Sequence, residues 1–309
     1  MYTILGATGN IGSKIADILI RKGEDVRLVA RTADRLLPSL VNKARADATH
    51  VGEAHSYVGD IMETEFLVKA IEDSEAVFTL IPPNLRANKF IPYADKIGES
   101  IARAIEIAKV RYVVNLSSIG AEQSQSTGPI LGLHEQEKRL NHIKELNVMH
   151  VRAGYFMENL LMNIDMIKSK GITGSAVRGD IKLPMIATKD IAEFIAERLV
   201  KRDFTGVTVE YLLGQRDLSL IEATVVIGGK IGKPGLNYIT FPYDEAQKGL
   251  VNAGLSPDMS RLFIEMSRAM NDGRITGAIK RTKANTTPTS FDKFCDEVFV
   301  PVYLQRKAA

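Results

Sequence analysis

The sequence predicts an α/β protein built on a doubly wound parallel sheet, with a smaller C-terminal α+β lobe. Short apolar segments alternate with longer amphipathic segments through the first half of the 309-residue chain. A glycine-rich turn, GATGNIG, directly follows the first apolar segment. Strands as apolar as these are typical of a parallel sheet that helices cover on both faces.

The predicted elements alternate in order along the first half of the chain. The strands are YTILGA, DVRLVAR, AHSYVGD, EAVFTLIPP, RYVVNLSS and VMHVRAG. The helices between them are IGSKIADILIRKG, TADRLLPSLVNKA, TEFLVKAIED, FIPYADKIGESIARAIEIAKV and HEQEKRLNHIKEL. Apolar residues at helical spacing identify the helices, and short continuous apolar runs identify the strands. Strands joined by helices in this way form the doubly wound arrangement.

We expect one domain over residues 1–155 and a smaller lobe, for a substrate or a partner, over residues 156–309. Beyond residue 155 the alternation loosens, and YFMENLLMNIDMIKSKG predicts a helix rich in Met and Leu. KLPMIATKDIAEFIAERLV predicts a strand and a helix, over residues 182–202, that pack back on the first domain. The lobe is therefore expected to grow from the C-terminal edge of the sheet.

Composition argues against several classes of partner. The 40 Lys and Arg residues are interleaved with 37 Asp and Glu residues. Nucleic-acid-binding proteins instead gather basic residues into a stripe, so no nucleic-acid partner is expected. No apolar run approaches membrane-spanning length, so no membrane partner is expected either. The five histidines show no metal-ligand spacing with cysteine or carboxylate, and no metal is expected.

The single cysteine, Cys295, bears on the cellular compartment. One cysteine excludes an internal disulfide and fits a reducing compartment, so we expect a cytoplasmic protein without a signal peptide. Cys295 lies in FDKFCDEVF, where Phe291, Phe294 and Val298 repeat with it at helical spacing. This pattern predicts a buried packing residue and not a nucleophile.

The glycine-rich turn predicts a dinucleotide site. Gly6 permits a tight turn, Gly9 lets the backbone approach a pyrophosphate, and Gly12 lets the first helix pack closely on the first strand. The helix N-terminus offers N–H groups and a positive dipole end to the phosphates. The alternative is an ordinary glycine turn. The residues expected to contact the cofactor here are Gly6, Thr8, Gly9, Asn10, Ile11 and Gly12.

The end of the second strand indicates which dinucleotide is bound. A carboxylate there would hold the ribose 2′-hydroxyl of NAD, but LVARTADR has no acid at that point and places Arg31 just beyond it. A guanidinium binds a phosphate through two parallel hydrogen bonds and also stacks on adenine. The sequence therefore favours NADP(H) over NAD(H). Arg35 is a second candidate to bind the 2′-phosphate, and the alternative is that it is a solvated side chain.

Two further strand ends lie at the same edge of the predicted sheet. Asp60 follows the third strand, where it could accept a hydrogen bond from the adenine amino group or cap the next helix. Pro82 ends the fourth strand in LIPP, where backbone should pass beside the nicotinamide ribose. The alternative is that the prolines of LIPP only terminate the strand.

Taken together, these segments resemble the NmrA-like branch of the atypical short-chain dehydrogenases/reductases, which have a Rossmann fold. The matching segments are GATGNIG, VARTADR, GD at 59 and 60, NLSSIGA, HEQEKRL and VRAGYFMENLL. The resemblance implies NADP(H) or NAD(H) bound in the cleft between two lobes. It also implies either reduction of quinones and related acceptors or redox sensing with little or no turnover.

The resemblance assigns catalytic roles near the fifth strand. In the superfamily pattern a serine orients a carbonyl, a tyrosine donates a proton, and a lysine four residues later holds the nicotinamide ribose. Ser117 or Ser118 lies in the serine's region and Lys138 in the lysine's, and Ser117 and Lys138 are both expected to contact the cofactor. His134 stands where the tyrosine is expected. His134 and Lys138 are predicted to share one helix face. Tyr155, just after the sixth strand, is a further candidate near the nicotinamide.

Three roles for His134 stay open at this point. In the first, His134 is a substitute acid, because imidazole titrates near neutrality. In the second, His134 caps the helix or contacts the polar loop, and Lys138 only holds the ribose. In the third, both side chains are solvated on a charged helix. The missing tyrosine argues against ordinary carbonyl–alcohol chemistry and leaves cofactor binding intact.

Two functions therefore compete. The first is an NADPH-dependent reductase of quinone-like or other small electrophilic acceptors. The second is a non-catalytic NADP(H) sensor that reports redox state to a protein partner. A pocket open at the nicotinamide C4 would favour the reductase, and a pocket filled by side chains such as Tyr155, Phe156 or Met157 would favour the sensor.

Overall fold

The structure is a computed structural model that describes residues 1–32, 52–276 and 279–306. The predicted helix TADRLLPSLVNKA and the candidate Arg35 lie outside these residues. The other strands and helices predicted for the first half of the chain are all present.

The described strands are β1 (Tyr2–Leu5), β2 (Val26–Ala30), β3 (Ala54–Val58), β4 (Ala76–Thr79), β5 (Tyr112–Ser118), β6 (Asn147–Ala153), β7 (Tyr155–Phe156), β8 (Ile172–Ser175), β9 (Leu183–Ile186), β10 (Val207–Leu212), β11 (Asp217–Leu218) and β12 (Asn237–Thr240). The described α-helices are α1 (Gly12–Arg21), α2 (Thr64–Ile71), α3 (Phe90–Ile107), α4 (Ile130–Asn141), α5 (Ile164–Lys170), α6 (Thr188–Lys201), α7 (Leu220–Lys230), α8 (Tyr243–Asn252), α9 (Pro257–Asn271), α10 (Phe291–Phe294) and α11 (Val300–Gln305). A 3-10 helix covers Met157–Asn163 and a π-helix covers Cys295–Phe299.

Seven of the described strands form one sheet in the order β10-β6-β5-β4-β1-β2-β3, and neighbouring strands in it are parallel. The chain changes direction across the sheet between β1 and β4, which is where open α/β sheets bind ligands. The predicted doubly wound sheet is confirmed. Its outer strand β10 comes from residues 207–212, beyond the expected boundary at residue 155, and that boundary stays a prediction.

Helices cover both faces of this sheet. On one face, Ile15 of α1 and Ile191 and Ile195 of α6 pack in the same buried cluster as Val114 and Val151 of the sheet. On the other face, α2, α3 and α4 pack against the alternate strand residues, which include Val113 and Val148. Helix α6 thus lies beside α1, so the segment after β9 returns to the central sheet.

The rest of the chain builds a second core from two small sheets and several helices. The sheets have the orders β11-β9-β7 and β12-β8. Phe291, Phe294 and Phe299 are fully buried there together with Cys295. The predicted packing role of Cys295 is confirmed, and burial raises the pKa of its thiol to about 12. No helix in the described part of the chain is both long and apolar enough to cross a membrane.

In the C-terminal half of the described chain, α7, α9 and α10 begin with side-chain caps. The Ser219 hydroxyl accepts a hydrogen bond from the Glu222 backbone N–H, and the Glu222 carboxylate accepts one from the Ser219 backbone N–H. Ser256 caps α9 in the same sense, with Pro257 next to it. Such caps satisfy N–H groups that the helix itself leaves without partners. Helix α1 has no such cap.

Candidate functional site

The loop between β1 and α1 is held in a form that only small residues allow. Gly6 has φ of +66°, a region that side chains disfavour. A Cβ atom at Gly12 would lie 2.4 Å from the Gly6 carbonyl oxygen, so a side chain there would collide with the loop. The Gly9 backbone N–H closes the turn by donating to the Gly6 carbonyl at 2.9 Å.

The geometry of this loop fits a bound pyrophosphate. Residue Ile11 precedes α1 without a side-chain cap, and the first turn of α1 contains no acidic residue. The positive end of the helix dipole is therefore not neutralised by the protein, as anion-binding helix ends require. Thr8, Gly9 and Asn10 are exposed on the outer side of the loop, where a phosphate would approach.

Two charged side chains, Arg31 and Asp60, follow the ends of β2 and β3. Arg31 follows β2 directly and is exposed. Asp60 is exposed and uses its Oδ1 to accept a hydrogen bond from the Met62 backbone N–H at 2.9 Å, which shapes the turn before α2. Burial raises the pKa of Tyr93 on α3, and the charges of Arg31 and Asp60 also act on it. The sequence pattern did not single out Tyr93.

The end of β4 completes this side of the cleft. Leu80 follows β4, and its Cδ2 atom lies 2.9 Å from the position of a Cβ on Gly6, so the two loops are in contact. Pro82 is half-buried two residues further on. The carboxyl ends of β1 and β4 therefore form one continuous edge at the point where the strand order changes direction.

Two rows of polar side chains cross the sheet on the face that α4 covers. The first row joins Thr79, Asn115 and His150, which are paired in register on β4, β5 and β6. The second row joins Ser117, Arg152 and Tyr211, which are paired in register on β5, β6 and β10. The second row stands one residue from the carboxyl end of each strand.

The first row is a directed hydrogen-bond chain. The Thr79 hydroxyl donates to Asn115 Oδ1 at 3.0 Å, and Asn115 Nδ2 donates to His150 Nδ1 at 3.1 Å. His150 Nε2 then donates to Asn141 Oδ1 at 2.8 Å, because an amide nitrogen offers no acceptor to Nδ1. Burial lowers the pKa of His150 to about 4, so the ring is neutral near neutral pH.

The second row holds a buried ion pair. Arg152 donates to Glu137 of α4 through Nε at 3.0 Å and through Nη2 at 2.6 Å. Ser117 Oγ donates to Glu137 Oε1 at 2.5 Å. Arg152 Nη1 donates to the Tyr211 hydroxyl at 2.8 Å and contacts Glu122 at 3.3 Å. Burial by itself would raise the pKa of Glu137, but the hydrogen bonds from Arg152 and Ser117 hold it below its ordinary value.

His134 and Lys138 have different surroundings although they are four residues apart. His134 Nδ1 donates to the Ala121 carbonyl at 2.7 Å. This contact with the polar loop is the second of the three roles considered for His134. Lys138 Nζ lies 3.1 Å from Glu135, and 53% of the Lys138 side chain is exposed. For Lys138 to hold a ribose, its ammonium group would have to leave Glu135. That assignment stays a prediction.

The remaining candidates lie at the ends of β5 and β6. The Ser118 hydroxyl donates to the Ile119 carbonyl at 2.9 Å. Tyr155 in β7 pairs with Met185 of β9 and packs on the second core. Burial raises the pKa of Tyr155, and Tyr238 adds to this effect, so the two phenols are neighbours.

The match with known proteins covers almost the whole chain. Residues 2–295 match the family model of the NmrA-like family. The chain belongs to the NmrA-like family. It is 27% identical over 297 residues to YesF, an uncharacterized oxidoreductase of Bacillus subtilis (strain 168), with 94% of this chain and 92% of YesF covered. It is 23% identical over 270 residues to the NAD(P)H azoreductase of Xenophilus azovorans, with 86% of each protein covered.

Solved structures show the same fold. NADPH-dependent quinone oxidoreductase QOR2 of Escherichia coli, solved with NADPH, has a TM-score of 0.77 and 18% identity, with 97% of this chain and 100% of QOR2 covered. Triphenylmethane reductase of Citrobacter sp., solved with NADP(H), has a TM-score of 0.77 and 14% identity, with 96% of this chain and 100% of the reductase covered. At these identities the likeness establishes the fold of the NmrA-like chain.

Several polar residues of this NmrA-like chain escaped the sequence interpretation. Glu158 is one of them: its carboxylate accepts hydrogen bonds from the Thr188 backbone N–H at 3.0 Å and from the Thr188 hydroxyl. The charge of Glu158 also acts on Lys14, whose pKa burial lowers and whose Nζ donates to the Asn10 carbonyl at 2.8 Å. Glu158 thus contacts the start of α6, and its charge acts on α1 next to the loop between β1 and α1, called the cofactor loop below. The polar pair Glu158 and Asn159 within the apolar run YFMENLL was the available signal.

The other missed residues belong to the two polar rows, of which the sequence singles out Ser117 alone. Asn115 and Ser117 alternate with apolar residues in β5, and His150 and Arg152 do the same in β6. Polar residues two positions apart on buried strands indicate a polar row on one sheet face. Across the described residues there is no group of three or more His, Cys, Asp or Glu side chains arranged to hold a metal ion.

Proposed function

We propose that this NmrA-like chain binds NADP(H) in preference to NAD(H) and reduces quinone-like or other small electrophilic acceptors. The observation that carries the proposal is the loop between β1 and α1, where Gly12 has no room for a side chain and the helix N-terminus is open. A reduced nicotinamide, when bound, supplies a hydride. The residues of the chain bind the cofactor and hold it in place.

Each part of the cofactor has a proposed partner. Gly6 to Gly12 would contact the pyrophosphate through the backbone. Arg31 would bind the 2′-phosphate, and Asp60, just beyond the end of the neighbouring strand β3, would accept a hydrogen bond from the adenine. Backbone at Pro82 and the Ser117 side chain lie at the ends of β4 and β5, beside the expected nicotinamide position.

The relatives support the reductase part of the proposal. One relative is an NAD(P)H azoreductase, and the two solved structures are a quinone oxidoreductase and a triphenylmethane reductase. In azo compounds and quinones, extended conjugation spreads the negative charge that hydride delivery creates, and in a cationic triphenylmethane dye the hydride neutralises a positive charge. Such acceptors need less help from a protein acid than an isolated carbonyl does.

Binding measurements test the cofactor assignment. Titration calorimetry with NADPH and NADH should show tighter binding of NADPH by the natural chain. Arg31→Asp should weaken NADPH binding about 10- to 100-fold, since it removes a charged hydrogen bond and adds repulsion. Arg103→Asp, an exposed substitution on α3, is the matched control and should leave both affinities unchanged. Unchanged NADPH affinity in Arg31→Asp would contradict the 2′-phosphate contact.

One observation favours the second candidate, a non-catalytic NADP(H) sensor acting on a protein partner. Ser117, Ser118 and His134 all donate hydrogen bonds to acceptors within the protein. NADPH oxidation, followed by absorbance against a panel of quinones and azo dyes, separates the two candidates. Turnover supports the reductase, whereas tight NADPH binding without turnover supports the sensor.

A further inference from the structure

The Ser117 hydroxyl donates its only proton to a buried carboxylate. Ser117 Oγ donates to Glu137 Oε1 at 2.5 Å, and Ser117 is buried. A hydroxyl carries one proton and two lone pairs. With its proton donated to Glu137, Ser117 presents only lone pairs to any ligand at the end of β5.

Glu137 is held as an acceptor by Arg152. The guanidinium has no acceptor atom and stays charged, and it contacts both carboxylate oxygens of Glu137. The side chains of Glu137 and Arg152 are only 6% and 12% exposed. Tyr211 accepts a hydrogen bond from Arg152 at 2.8 Å and fixes the guanidinium from the next strand. The direction of the Ser117 hydrogen bond is thus set by α4, β6 and β10 together.

Ser117 lies where the nicotinamide half of a dinucleotide would be. It is the penultimate residue of β5, and β5 is the neighbour of β4 in the sheet. The end of β4 in turn contacts Gly6 of the cofactor loop. The carboxamide nitrogen and the ribose hydroxyls of a nicotinamide nucleotide are hydrogen-bond donors, which match an acceptor at this position.

We propose that Glu137 is a positioning residue for the cofactor: by taking the Ser117 proton, it makes Ser117 an acceptor for an N–H or O–H donor on the nicotinamide half of NADP(H). This inference rests on the cofactor binding proposed above. It also means that Ser117 has no proton with which to polarise a substrate carbonyl. Glu137 acts through Ser117 and does not itself touch the ligand.

Two ligands separate this role from a purely structural one. NADPH carries the nicotinamide half, and adenosine 2′,5′-bisphosphate lacks both the nicotinamide ring and its ribose. Ser117→Ala should weaken NADPH binding about 3- to 10-fold, the usual range for one neutral hydrogen bond, and should leave the affinity for adenosine 2′,5′-bisphosphate within about 2-fold. Glu137→Gln should have a smaller effect of the same selectivity, since a neutral amide oxygen holds the Ser117 proton less strongly than a charged carboxylate does.

A double-mutant cycle provides the decisive comparison. In the Ser117→Ala background, Glu137→Gln should cause no further selective loss of NADPH, because the residue it acts through is gone. Glu106→Gln on α3, an exposed position, is the matched control and should leave both ligands unaffected. If Glu137→Gln does not fold, Glu137→Asp keeps the charge and withdraws the carboxylate from Ser117 by one methylene.

Other results would overturn the inference. Equal weakening of both ligands by Glu137→Gln would make Glu137 purely structural, and unchanged NADPH affinity in Ser117→Ala would remove the contact. A change confined to the KM of the electrophilic substrate would indicate that Ser117 contacts that substrate and not the cofactor. If the natural chain binds neither ligand, the proposed function fails first; if it binds both and Ser117→Ala has no effect, only this inference fails.

Discussion

Glu137 and Asn141 lie one helical turn apart on α4, and each anchors the helix to a different polar row of the sheet. Glu137 accepts hydrogen bonds from Arg152, and Asn141 Oδ1 accepts one from His150 at 2.8 Å. His134, three residues before Glu137, joins α4 to the loop after β5 by donating a hydrogen bond to the Ala121 carbonyl. Polar contacts therefore set the position of α4 against the edge of the sheet where the cofactor is proposed to bind.

Removing Arg152 should be costly. Arg152→Met would leave the Glu137 carboxylate buried without its charged partner, and breaking a buried pair in this way costs about 3–5 kcal/mol of unfolding free energy. Lys138→Met breaks the exposed contact with Glu135 on the same helix and should cost less than about 1 kcal/mol. Urea unfolding of both variants measures the difference, and equal effects would contradict the buried character of the Glu137–Arg152 pair.

His150 should make stability depend on pH. Its pKa is lowered to about 4 in the folded chain and returns to its ordinary value of 6.5 on unfolding. Between these values the unfolded state binds more protons, so the free energy of unfolding falls as pH falls from 6.5 toward 4. The contribution is fully present above pH 6.5, and its loss amounts to roughly 3 kcal/mol.

A variant comparison isolates this effect from other acid-induced changes. His150→Gln keeps an acceptor and a donor but does not titrate, so its unfolding free energy should decline less steeply over the same range. His55→Gln, at a position with an exposed ring on β3, should follow the natural chain. Identical pH profiles for His150→Gln and the natural chain would show that another group governs acid stability.

Most of the central sheet could be predicted because its signals are local. Each apolar run and each helical period lies within one element, and the glycine trio fixes the turn between two consecutive elements. The three glycines and Arg31 therefore lie at the strand ends where the local pattern predicts them. The same reasoning predicted that His134 and Lys138 share one helix face. In the structure, the side chains of α4 that contact the sheet and its loops are His134, Glu137 and Asn141.

Contacts between distant segments could not be predicted in this way. Asp190, at the start of α6, accepts a hydrogen bond from the Thr289 backbone N–H at 3.0 Å, and 99 residues separate the two along the chain. Strand β10 joins the central sheet from a region where the alternation of elements had already ended. Such contacts depend on tertiary packing, for which neither partner carries a local signal.

Gly12 should not tolerate alanine. The added Cβ would lie 2.4 Å from the Gly6 carbonyl oxygen, so Gly12→Ala should displace the loop, lower stability by about 1–3 kcal/mol and weaken NADPH binding. Gly229→Ala in α7 is the matched control, because nothing lies within 4 Å of its added Cβ. Alanine there should stabilise the helix by up to about 1 kcal/mol. Thermal unfolding and NADPH titration of both variants check this, and normal NADPH affinity in Gly12→Ala would refute the tight loop.

Glu158 should stabilise the start of α6. Its carboxylate accepts hydrogen bonds from the backbone N–H and the hydroxyl of Thr188, and its charge attracts Lys14 beside the cofactor loop. Glu158→Ala leaves these donors without a partner and should lower the unfolding free energy by about 1–2 kcal/mol, as other lost helix caps do. Glu193→Ala, at an exposed position on α6, should change it by less than about 0.5 kcal/mol.

Because α6 packs beside α1, the same substitution should also reach the cofactor loop. We expect Glu158→Ala to weaken NADPH binding more than Glu193→Ala does, since the charge of Glu158 acts on Lys14, which donates a hydrogen bond to the Asn10 carbonyl. Titration calorimetry at one pH compares the two variants. A destabilised Glu158→Ala chain with unchanged NADPH affinity would confine Glu158 to capping and separate α6 from the cofactor loop.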